Sequence, residues 1–258
     1  MIPKVIHYCW FGKQKLPEEY KKYMESWKKF CPDFEIIEWN EDNFDVLSNV
    51  YCYEAYIEKK WAFVSDYARL KIIYENGGIY LDTDVELIKP LEPLMKGSKA
   101  WIGFQNEEQV ATGLGFAAEP LNCCIEEMLK LYGDRHFKRE DGSLDLTPCP
   151  VMNTVALKRY GLKTGKKNCD TVQHFQNIDV YPICTFNPMN SDTRKLKITK
   201  NTYSIHHYTA SWINPRRKRV QKIKKIIPGW LLQYHTIHKS KKSVDELERN
   251  EKIKNNYI

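Results

Sequence analysis

The sequence predicts an α/β domain, on three observations. Short apolar runs that suit strands alternate with amphipathic stretches that suit helices over roughly the first 210 residues, which is the pattern of α/β folds. A hydrophobic content of 42% in 258 residues is enough for a sizeable core. Residues 61–86 combine a helical pattern, two glycines, a short apolar strand and two aspartates. In open α/β sheets, ligands bind beyond the carboxyl ends of strands.

The amino-terminal part supplies the elements that lead into this stretch. Residues 5–11 are β-branched and aromatic and predict a first strand. A helix is predicted over residues 17–30, because apolar side chains recur at helical spacing behind Pro17, a residue that favours the first helical position. Residues 34–39 predict a second strand, and residues 51–76 a mostly helical segment.

The end of this helical segment is predicted at the Asn-Gly-Gly sequence of residues 76–78, since glycine accepts the left-handed backbone that terminates a helix. Asp66 and Arg69 are three residues apart and therefore share one helix face. Residues 79–81 are apolar and suit a short buried strand. The next polar residues should lie where that strand ends.

Two carboxylates one residue apart, Asp82 and Asp84, follow this strand and predict a metal site. Their charges repel unless a cation lies between them, and Mg²⁺ and Mn²⁺ take carboxylate and phosphate oxygens as ligands. Such a cation would hold a nucleotide diphosphate. The alternative is a solvated acidic turn, because an Asp-x-Asp sequence also arises by chance. Its position after a helix, two glycines and a strand favours the metal site.

The carboxyl-terminal part continues the alternation. Strands are predicted at residues 100–104, 114–118 and 180–184. Helices are predicted at residues 120–132 and 155–160. Residues 105–113 are polar and predict a loop near the site. Residues 203–208 are β-like, and because adjacent side chains of a strand point to opposite faces, one of His206 and His207 can reach a metal there.

Three separated segments carry a family resemblance: residues 2–12 (IPKVIHYCWFG), residues 65–84 (SDYAR and then GGIYLDTD) and residues 205–212 (IHHYTASW). In this order they resemble glycosyltransferase family 32, the sugar transferases with the DXD motif. The resemblance covers residues 1 to about 212. It implies a GT-A, Rossmann-like domain with a mostly parallel central sheet flanked by helices, and sugar transfer with retention at the anomeric carbon.

The resemblance also implies roles for the matching residues. Trp10 would contact the nucleobase, and a core tryptophan is the alternative. Asp66 would hydrogen-bond the donor sugar or ribose, and Arg69 would contact the sugar or the phosphates, which suits a planar guanidinium fork. The alternative for these two is a surface ion pair worth a few tenths of a kcal/mol. Asp84 would bind the metal, and Asp82 the metal or the ribose.

The last segment would complete the site. His206 is favoured as the third metal ligand, because the family motif has a histidine, a spacer and then an aromatic residue; His207 is the alternative, and both could be structural. Ser211 and Trp212 match a Ser-Trp pair that would close over the diphosphate. Cys149 stands where the family commonly has glycine, so no role is transferred to it.

The formal net charge of +7 belongs to the tail of the chain. Residues 213–258 contain 13 Lys and Arg against four Asp and Glu, whereas residues 1–212 contain 27 against 29. We therefore predict a transferase domain at 1–212 and a basic helical extension at 213–258. The amphipathic stretch 215–227 predicts contact with an anionic membrane surface; a helix packed on the domain is the alternative. No base-reading module is present, so no nucleic acid partner is expected.

Eight cysteines are present without a Cys-x-x-Cys pair, which predicts free thiols and no structural zinc. The sequence opens without a signal-peptide pattern, and no apolar run approaches the length of a membrane span. The simplest interpretation is a cytoplasmic protein that is at most peripheral on the inner face of the membrane.

Together these features predict a metal-dependent glycosyltransferase that uses Mn²⁺ or Mg²⁺ and a nucleotide-sugar donor, most readily a UDP-sugar. The acceptor would be a glycan or lipid-linked saccharide in bacterial surface polysaccharide (capsule) synthesis. One alternative is a metal-dependent hydrolase of nucleotide sugars or phosphodiesters with the same carboxylates. A second alternative is a non-catalytic nucleotide- or glycan-binding adaptor. Replacement of Arg69 with alanine is expected to abolish turnover and leave the fold intact.

Overall fold

A seven-stranded central sheet is built from strands in the order β2-β1-β3-β6-β5-β8-β7. The strands are β1 (Val5–Cys9), β2 (Glu35–Trp39), β3 (Gly78–Tyr80), β5 (Ala100–Asn106), β6 (Gln109–Ala118), β7 (Gln173–His174) and β8 (Asp179–Tyr181). β1 is parallel to both neighbours and β5 is parallel to β8, whereas β6 and β7 are antiparallel to theirs. Five of the seven strands therefore run in one direction. The prediction of an α/β fold with a mostly parallel sheet is confirmed.

The computed structural model describes residues 1–175, 177–209 and 228–256. Its helices are α1 (Glu18–Phe30), α2 (Val50–Ile57), α3 (Trp61–Asn76), α4 (Glu92–Met95), α5 (Cys123–Lys130), α6 (Cys149–Lys158), α7 (Ile183–Phe186) and α8 (Gly229–Asn256). The predicted helical segment 51–76 is two helices, because the backbone turns at Lys59, whose φ is +54°. The basic stretch 215–227 lies outside the described residues.

The predicted loop at residues 105–113 is wrong. β5 and β6 form a tight hairpin in which Asn106 pairs with Gln109, so that most of this segment is strand. Its polar composition was misleading because Gln109 and Thr112 are buried and hydrogen-bonded inside the protein. The predicted strand at 180–184 is also shorter, since Pro182 precedes the short helix α7.

Two apolar clusters cover the two faces of the sheet, because successive side chains of a strand point to opposite sides. Along β3, Ile79 belongs to the cluster against α1 and Tyr80 to the cluster against α3. α8 packs on the second of these clusters through Val244 and Leu247. The carboxyl-terminal helix thus shares a core with the rest of the described chain.

A second, two-stranded sheet lies beyond the end of β3. It pairs β4 (Val85–Leu87) with β9 (Ser204–His206) in antiparallel fashion, with Val85 opposite His206. Trp27 of α1 donates its indole N–H to the Val85 carbonyl at 2.8 Å, which fixes this small sheet to the body of the protein. The pairing brings together residues that are about 120 positions apart in the sequence.

All eight cysteines are unpaired, as predicted. Among the described helices, none combines the length and apolar character needed to cross a bilayer.

A buried histidine joins β1 to the end of α3. His7 is 2% exposed, and its Nδ1 lies 3.0 Å from Nε1 of Trp39. The indole can only donate, so Nδ1 accepts and Nε2 carries the proton that is donated to the Gly77 carbonyl at 3.1 Å. Burial lowers the pKa of His7 from 6.5 to about 4, against a smaller opposing effect of this hydrogen bond.

We expect this histidine to make stability fall in mild acid. Between pH 4 and 6.5, His7 is protonated in the unfolded chain and neutral in the folded protein. The free energy of unfolding therefore rises with pH in this window, and His7 contributes up to about 3 kcal/mol to the rise. In His7→Gln that part of the slope should disappear in urea titrations at pH 4.5 and 7. The control is His235→Gln, at an exposed helical position, and an unchanged slope in His7→Gln would contradict the assignment.

Candidate metal and donor site

The turn between α3 and β3 places the strand directly beside β1. Gly77 and Gly78 have φ values of +67° and +97°, which side chains other than glycine rarely adopt. A Cβ on Gly78 would lie 2.8 Å from the Val5 carbonyl oxygen, so only glycine allows this approach. The helix terminator predicted from the sequence therefore also sets the packing of β3.

Asp82 and Asp84 lie in a turn immediately after β3. The Val85 N–H donates to the Asp82 carbonyl at 3.0 Å, which closes the turn before β4 begins. The small sheet then places His206 across from Val85, with its Nε2 at 3.2 Å from Asp84 Oδ1 and 3.9 Å from Asp82 Oδ2. The structure thus brings three of the four predicted metal ligands together.

The fourth candidate, His207, faces other groups. Its Nε2 lies 2.8 Å from Glu86 Oε2, and its ring stacks on Tyr23 of α1 at 4.2 Å between centroids. The Asp84 carbonyl accepts the backbone N–H of His207 at 2.9 Å. The alternation along the segment, with His206 toward the aspartates and His207 toward Glu86, follows the expectation that adjacent side chains diverge.

Arg69 connects α3 to this turn. Its Nη2 lies 3.1 Å from Asp66 Oδ1 and 3.3 Å from Asp82 Oδ1, and its guanidinium carbon lies 5.0 Å from the centre of the Tyr80 ring. Nε donates to the Ser65 carbonyl at 3.0 Å, which holds the fork in place. Arg69 is 4% exposed, so the surface ion pair considered from the sequence is not what the chain forms.

The charges of these residues leave an excess of negative charge. Asp66, Asp82 and Asp84 carry three carboxylates, against one guanidinium and the imidazole of His206. Burial raises the pKa of Asp66 and of Asp82. Burial acts in the same direction on Asp84. However, His206 and the hydrogen bonds from the backbone and side chain of Thr209 outweigh burial and hold the pKa of Asp84 well below its usual range.

The residues present fit a divalent cation. Asp82, Asp84 and His206 each offer one ligand atom, and these atoms lie within 4.8 Å of one another. Two carboxylates and an imidazole are a suitable donor set for Mn²⁺ and an acceptable one for Mg²⁺. Burial acts to lower the pKa of His206, but Asp84 raises it above its ordinary value. Only the unprotonated imidazole can bind a metal, so cation binding would displace this proton.

Asp84 has a second set of partners on its other oxygen. Thr209 donates its backbone N–H to Asp84 Oδ2 at 2.9 Å, and its hydroxyl lies 3.0 Å from the same atom. The same hydroxyl lies 3.0 Å from that of Tyr20, whose ring packs edge to face against Trp10 at 5.6 Å between centroids. Trp10 is half-buried, and its indole N–H donates to the Gln14 carbonyl.

Sequence reasoning missed the residues that form the wall behind Asp82. A Cβ on Gly113 would lie 2.7 Å from Asp82 Oδ2, so β6 passes directly against this carboxylate. Thr112 and Cys149 lie beside it, with Cys149 Sγ at 3.7 Å from the Thr112 hydroxyl and 3.9 Å from Arg69 Nη1. A glycine inside a strand pattern signals such a close approach and could have indicated Gly113. The two other predicted residues, Ser211 and Trp212, lie outside the described part of the chain.

The arrangement is suited to binding a phosphorylated ligand through a cation. The aspartates at the end of β3 and His206 would hold the ion, and Arg69 stands on the opposite side of Asp82. Asp82 is the most exposed of the three candidate ligands, with 26% of its side chain accessible, against 12% for each of the other two. A ligand therefore reaches the group over Asp82.

Comparison with known proteins bears on the same region. Residues 17–101, which include Asp66, Arg69, Asp82 and Asp84, match the family described as "Glycosyltransferase sugar-binding region containing DXD motif". The chain is 30% identical over 126 residues to inositol phosphoceramide mannosyltransferase 3 of Schizosaccharomyces pombe, a match that covers 45% of this chain and 33% of that protein.

Two further similarities were found. A stretch of 99 residues is 35% identical to the uncharacterized glycosyltransferase L373 of Acanthamoeba polyphaga mimivirus and covers 35% of this chain and 39% of that one. Among solved structures, the PaToxG glycosyltransferase superposes with a TM-score of 0.46 at 19% identity, over 63% of this chain and 71% of that one. The chain spans between a third and two fifths of the length of these two curated relatives.

Proposed function

The chain belongs, through residues 17–101, to the glycosyltransferase family whose sugar-binding region contains the DXD motif, and on this basis we propose that it transfers a sugar from a nucleotide diphosphate to an acceptor hydroxyl. The observation that carries the proposal is the convergence of Asp82, Asp84 and His206 on one point beside Arg69. That convergence puts cation ligands and a guanidinium within reach of one diphosphate.

Each residue has a distinct role in this proposal. Asp82, Asp84 and His206 would hold Mn²⁺ or Mg²⁺, which would supply positive charge to offset the charge of the departing diphosphate. Asp66 accepts hydrogen bonds from the hydroxyls of the donor sugar or ribose. Arg69 contacts the sugar or the phosphates, and its charge opposes the rise that burial causes in the pKa of Asp66 and of Asp82.

The aromatic and carboxyl-terminal parts close the donor site. Trp10 lies near the end of β1 and contacts the nucleobase, while Ser211 and Trp212 cover the diphosphate. Support for Trp10 comes from its contact with Tyr20, which reaches Asp84 through Thr209. Retention at the anomeric carbon remains part of the proposal, since the resemblance implies it.

The substrates we propose are a UDP-sugar and the hydroxyl of a glycan or lipid-linked saccharide, as in bacterial surface polysaccharide synthesis. One relative is named for mannosylating inositol phosphoceramide, so a mannose donor and a lipid-borne acceptor belong in the same test. For the extension 213–258 we propose contact with anionic membranes. The described part supports this with exposed Trp230 and Tyr234 on α8, ahead of three lysines.

A donor screen tests the proposed reaction. Purified protein is incubated with individual nucleotide sugars and Mn²⁺, with and without simple saccharide acceptors, and free nucleotide diphosphate is measured. We expect one donor to give acceptor-dependent release, which EDTA abolishes and added Mn²⁺ restores. Sugar release to water at a rate equal to transfer would favour the hydrolase instead. No turnover with any donor would favour the adaptor.

Membrane contact is tested separately. The full chain should sediment with vesicles that contain anionic lipid, and a chain that ends at residue 212 should sediment more weakly. Equal sedimentation of both chains would contradict the proposed role of the extension.

A further inference from the structure

A hydroxyl pair links the aromatic end of β1 to the candidate metal ligands. The Thr209 hydroxyl lies 3.0 Å from Asp84 Oδ2 and 3.0 Å from the Tyr20 hydroxyl. A hydroxyl has one proton, and an ionised carboxylate can only accept. Thr209 therefore donates to Asp84, and Tyr20 donates to Thr209. The resulting chain of hydrogen bonds has a fixed direction from α1 to Asp84.

This chain fixes which oxygen of Asp84 faces the other ligands. Oδ2 receives both the backbone N–H and the hydroxyl of Thr209, whereas Oδ1 is the atom 3.2 Å from His206 Nε2. Rotation of the carboxylate would break two hydrogen bonds to a charged acceptor, which are among the stronger hydrogen bonds in proteins. The orientation that suits cation binding is thus set before any ligand arrives.

Tyr20 also contacts Trp10. The two rings pack edge to face, and Tyr20 itself is 4% exposed, so neither its ring nor its hydroxyl can move far without disturbing α1. A displacement of Trp10 on contact with a base would be transmitted to Tyr20 and from there to Thr209. Tyr20 therefore joins Trp10, the proposed base contact, to Thr209, which hydrogen-bonds the candidate metal ligand Asp84.

We propose that Tyr20 is a positioning residue that couples nucleobase contact at Trp10 to cation binding at Asp84, through the hydroxyl of Thr209. This role rests on the function proposed above and links its nucleobase subsite to its cation subsite. Coupling of this kind is reciprocal: a nucleotide that tightens Mn²⁺ binding is itself bound more tightly in the presence of Mn²⁺ by the same factor.

The test measures Mn²⁺ binding and does not depend on turnover. Free Mn²⁺ is followed by electron paramagnetic resonance while Tyr20→Phe, Thr209→Val and the double variant are titrated, first with Mn²⁺ alone and then with UDP or GDP present. We expect Tyr20→Phe to weaken Mn²⁺ binding about fivefold and to reduce the enhancement by nucleotide, because the Thr209 hydroxyl loses the neutral hydrogen bond that orients it toward Asp84. In the Thr209→Val background the Tyr20 substitution should have no further effect.

A matched control lies one turn away on the same helix. Tyr23 of α1 donates its hydroxyl proton to Glu19 and stacks on His207, so Tyr23→Phe removes a tyrosine hydroxyl whose hydrogen-bond partner in the described chain is Glu19. Equal Mn²⁺ affinities of Tyr20→Phe and Tyr23→Phe would overturn the proposal, as would additive effects of the Tyr20 and Thr209 substitutions. Failure of the unmodified protein to bind Mn²⁺, with or without nucleotide, would overturn the metal-dependent function itself. This outcome differs from the two above because it is seen before any residue is substituted.

Where a donor has been identified, the kinetics supply a second readout. Tyr20→Phe should raise the apparent KM for the donor and the Mn²⁺ concentration needed for half-maximal rate, with kcat at saturating Mn²⁺ within about threefold of the unmodified protein. A fall in kcat alone, with both concentrations unchanged, would contradict a positioning role.

Discussion

Replacement of Asp84 with asparagine should lower sugar transfer by on the order of a thousandfold. The substitution keeps the shape of the side chain and its ability to accept from Thr209, but it removes the charge that faces His206 and the cation. Loss of one preorganised electrostatic contact to the developing charge costs this much in other enzymes. The rate is measured as release of nucleotide diphosphate at several Mn²⁺ concentrations.

The control for this experiment is Asp141→Asn, a change of an exposed carboxylate that hydrogen-bonds only within its own turn. It should leave the rate unchanged. Circular dichroism of Asp84→Asn should show a folded protein at the assay temperature, with thermal unfolding shifted down because His206 loses its carboxylate partner. A Mn²⁺-dependent rate within threefold of the unmodified value would remove Asp84 from the proposed metal site.

Arg69→Met should lower both stability and turnover, in contrast to the expectation from sequence that Arg69 can be removed without harm to the fold. The guanidinium is the partner of two buried or half-buried carboxylates, at 3.1 and 3.3 Å. Removing one member of a buried ion pair leaves the other charge without compensation, which costs about 3 to 5 kcal/mol. Thermal unfolding should shift down by on the order of 10 °C.

A second substitution distinguishes this mechanism from a loss of packing. The double variant Asp66→Asn, Arg69→Met lacks one of the two uncompensated carboxylates and should be more stable than Arg69→Met alone. Arg139→Met, which removes an arginine with 54% of its side chain exposed, serves as the matched control and should change stability by less than about 1 kcal/mol. If the double variant were the less stable of the two, the ion-pair explanation would fail.

Much of the fold follows from local signals in the sequence. The glycines at 77 and 78 predict the end of α3, and the apolar residues behind them predict β3, because both depend on the backbone preferences of a few neighbouring residues. The loop predicted at 105–113 failed because buried polar side chains such as Gln109 find partners only in the folded protein. Composition alone cannot reveal such partners.

In the candidate site, too, some residues could be predicted from local sequence and others depend on the folded protein. Asp82 and Asp84 are separated by one residue in the sequence and could be predicted as a pair, and His206 followed from the family resemblance. Tyr20 and Thr209 could not be found in this way, because a tyrosine on a helix and a threonine in a loop have no distinctive pattern. Their meeting at Asp84 depends on the packing of α1 against the small sheet.

The pairing of β4 with β9 means that the site contains residues from distant parts of the sequence. Asp82 and Asp84 lie within the segment 17–101 that matches the family, yet His206 and Thr209 are added more than a hundred residues later. A nascent chain released from the ribosome only as far as β8 would contain Arg69, Asp82 and Asp84 without the histidine that completes the set of cation ligands. Such an intermediate should be inert toward nucleotide sugars, so that the reaction begins only once synthesis has reached β9.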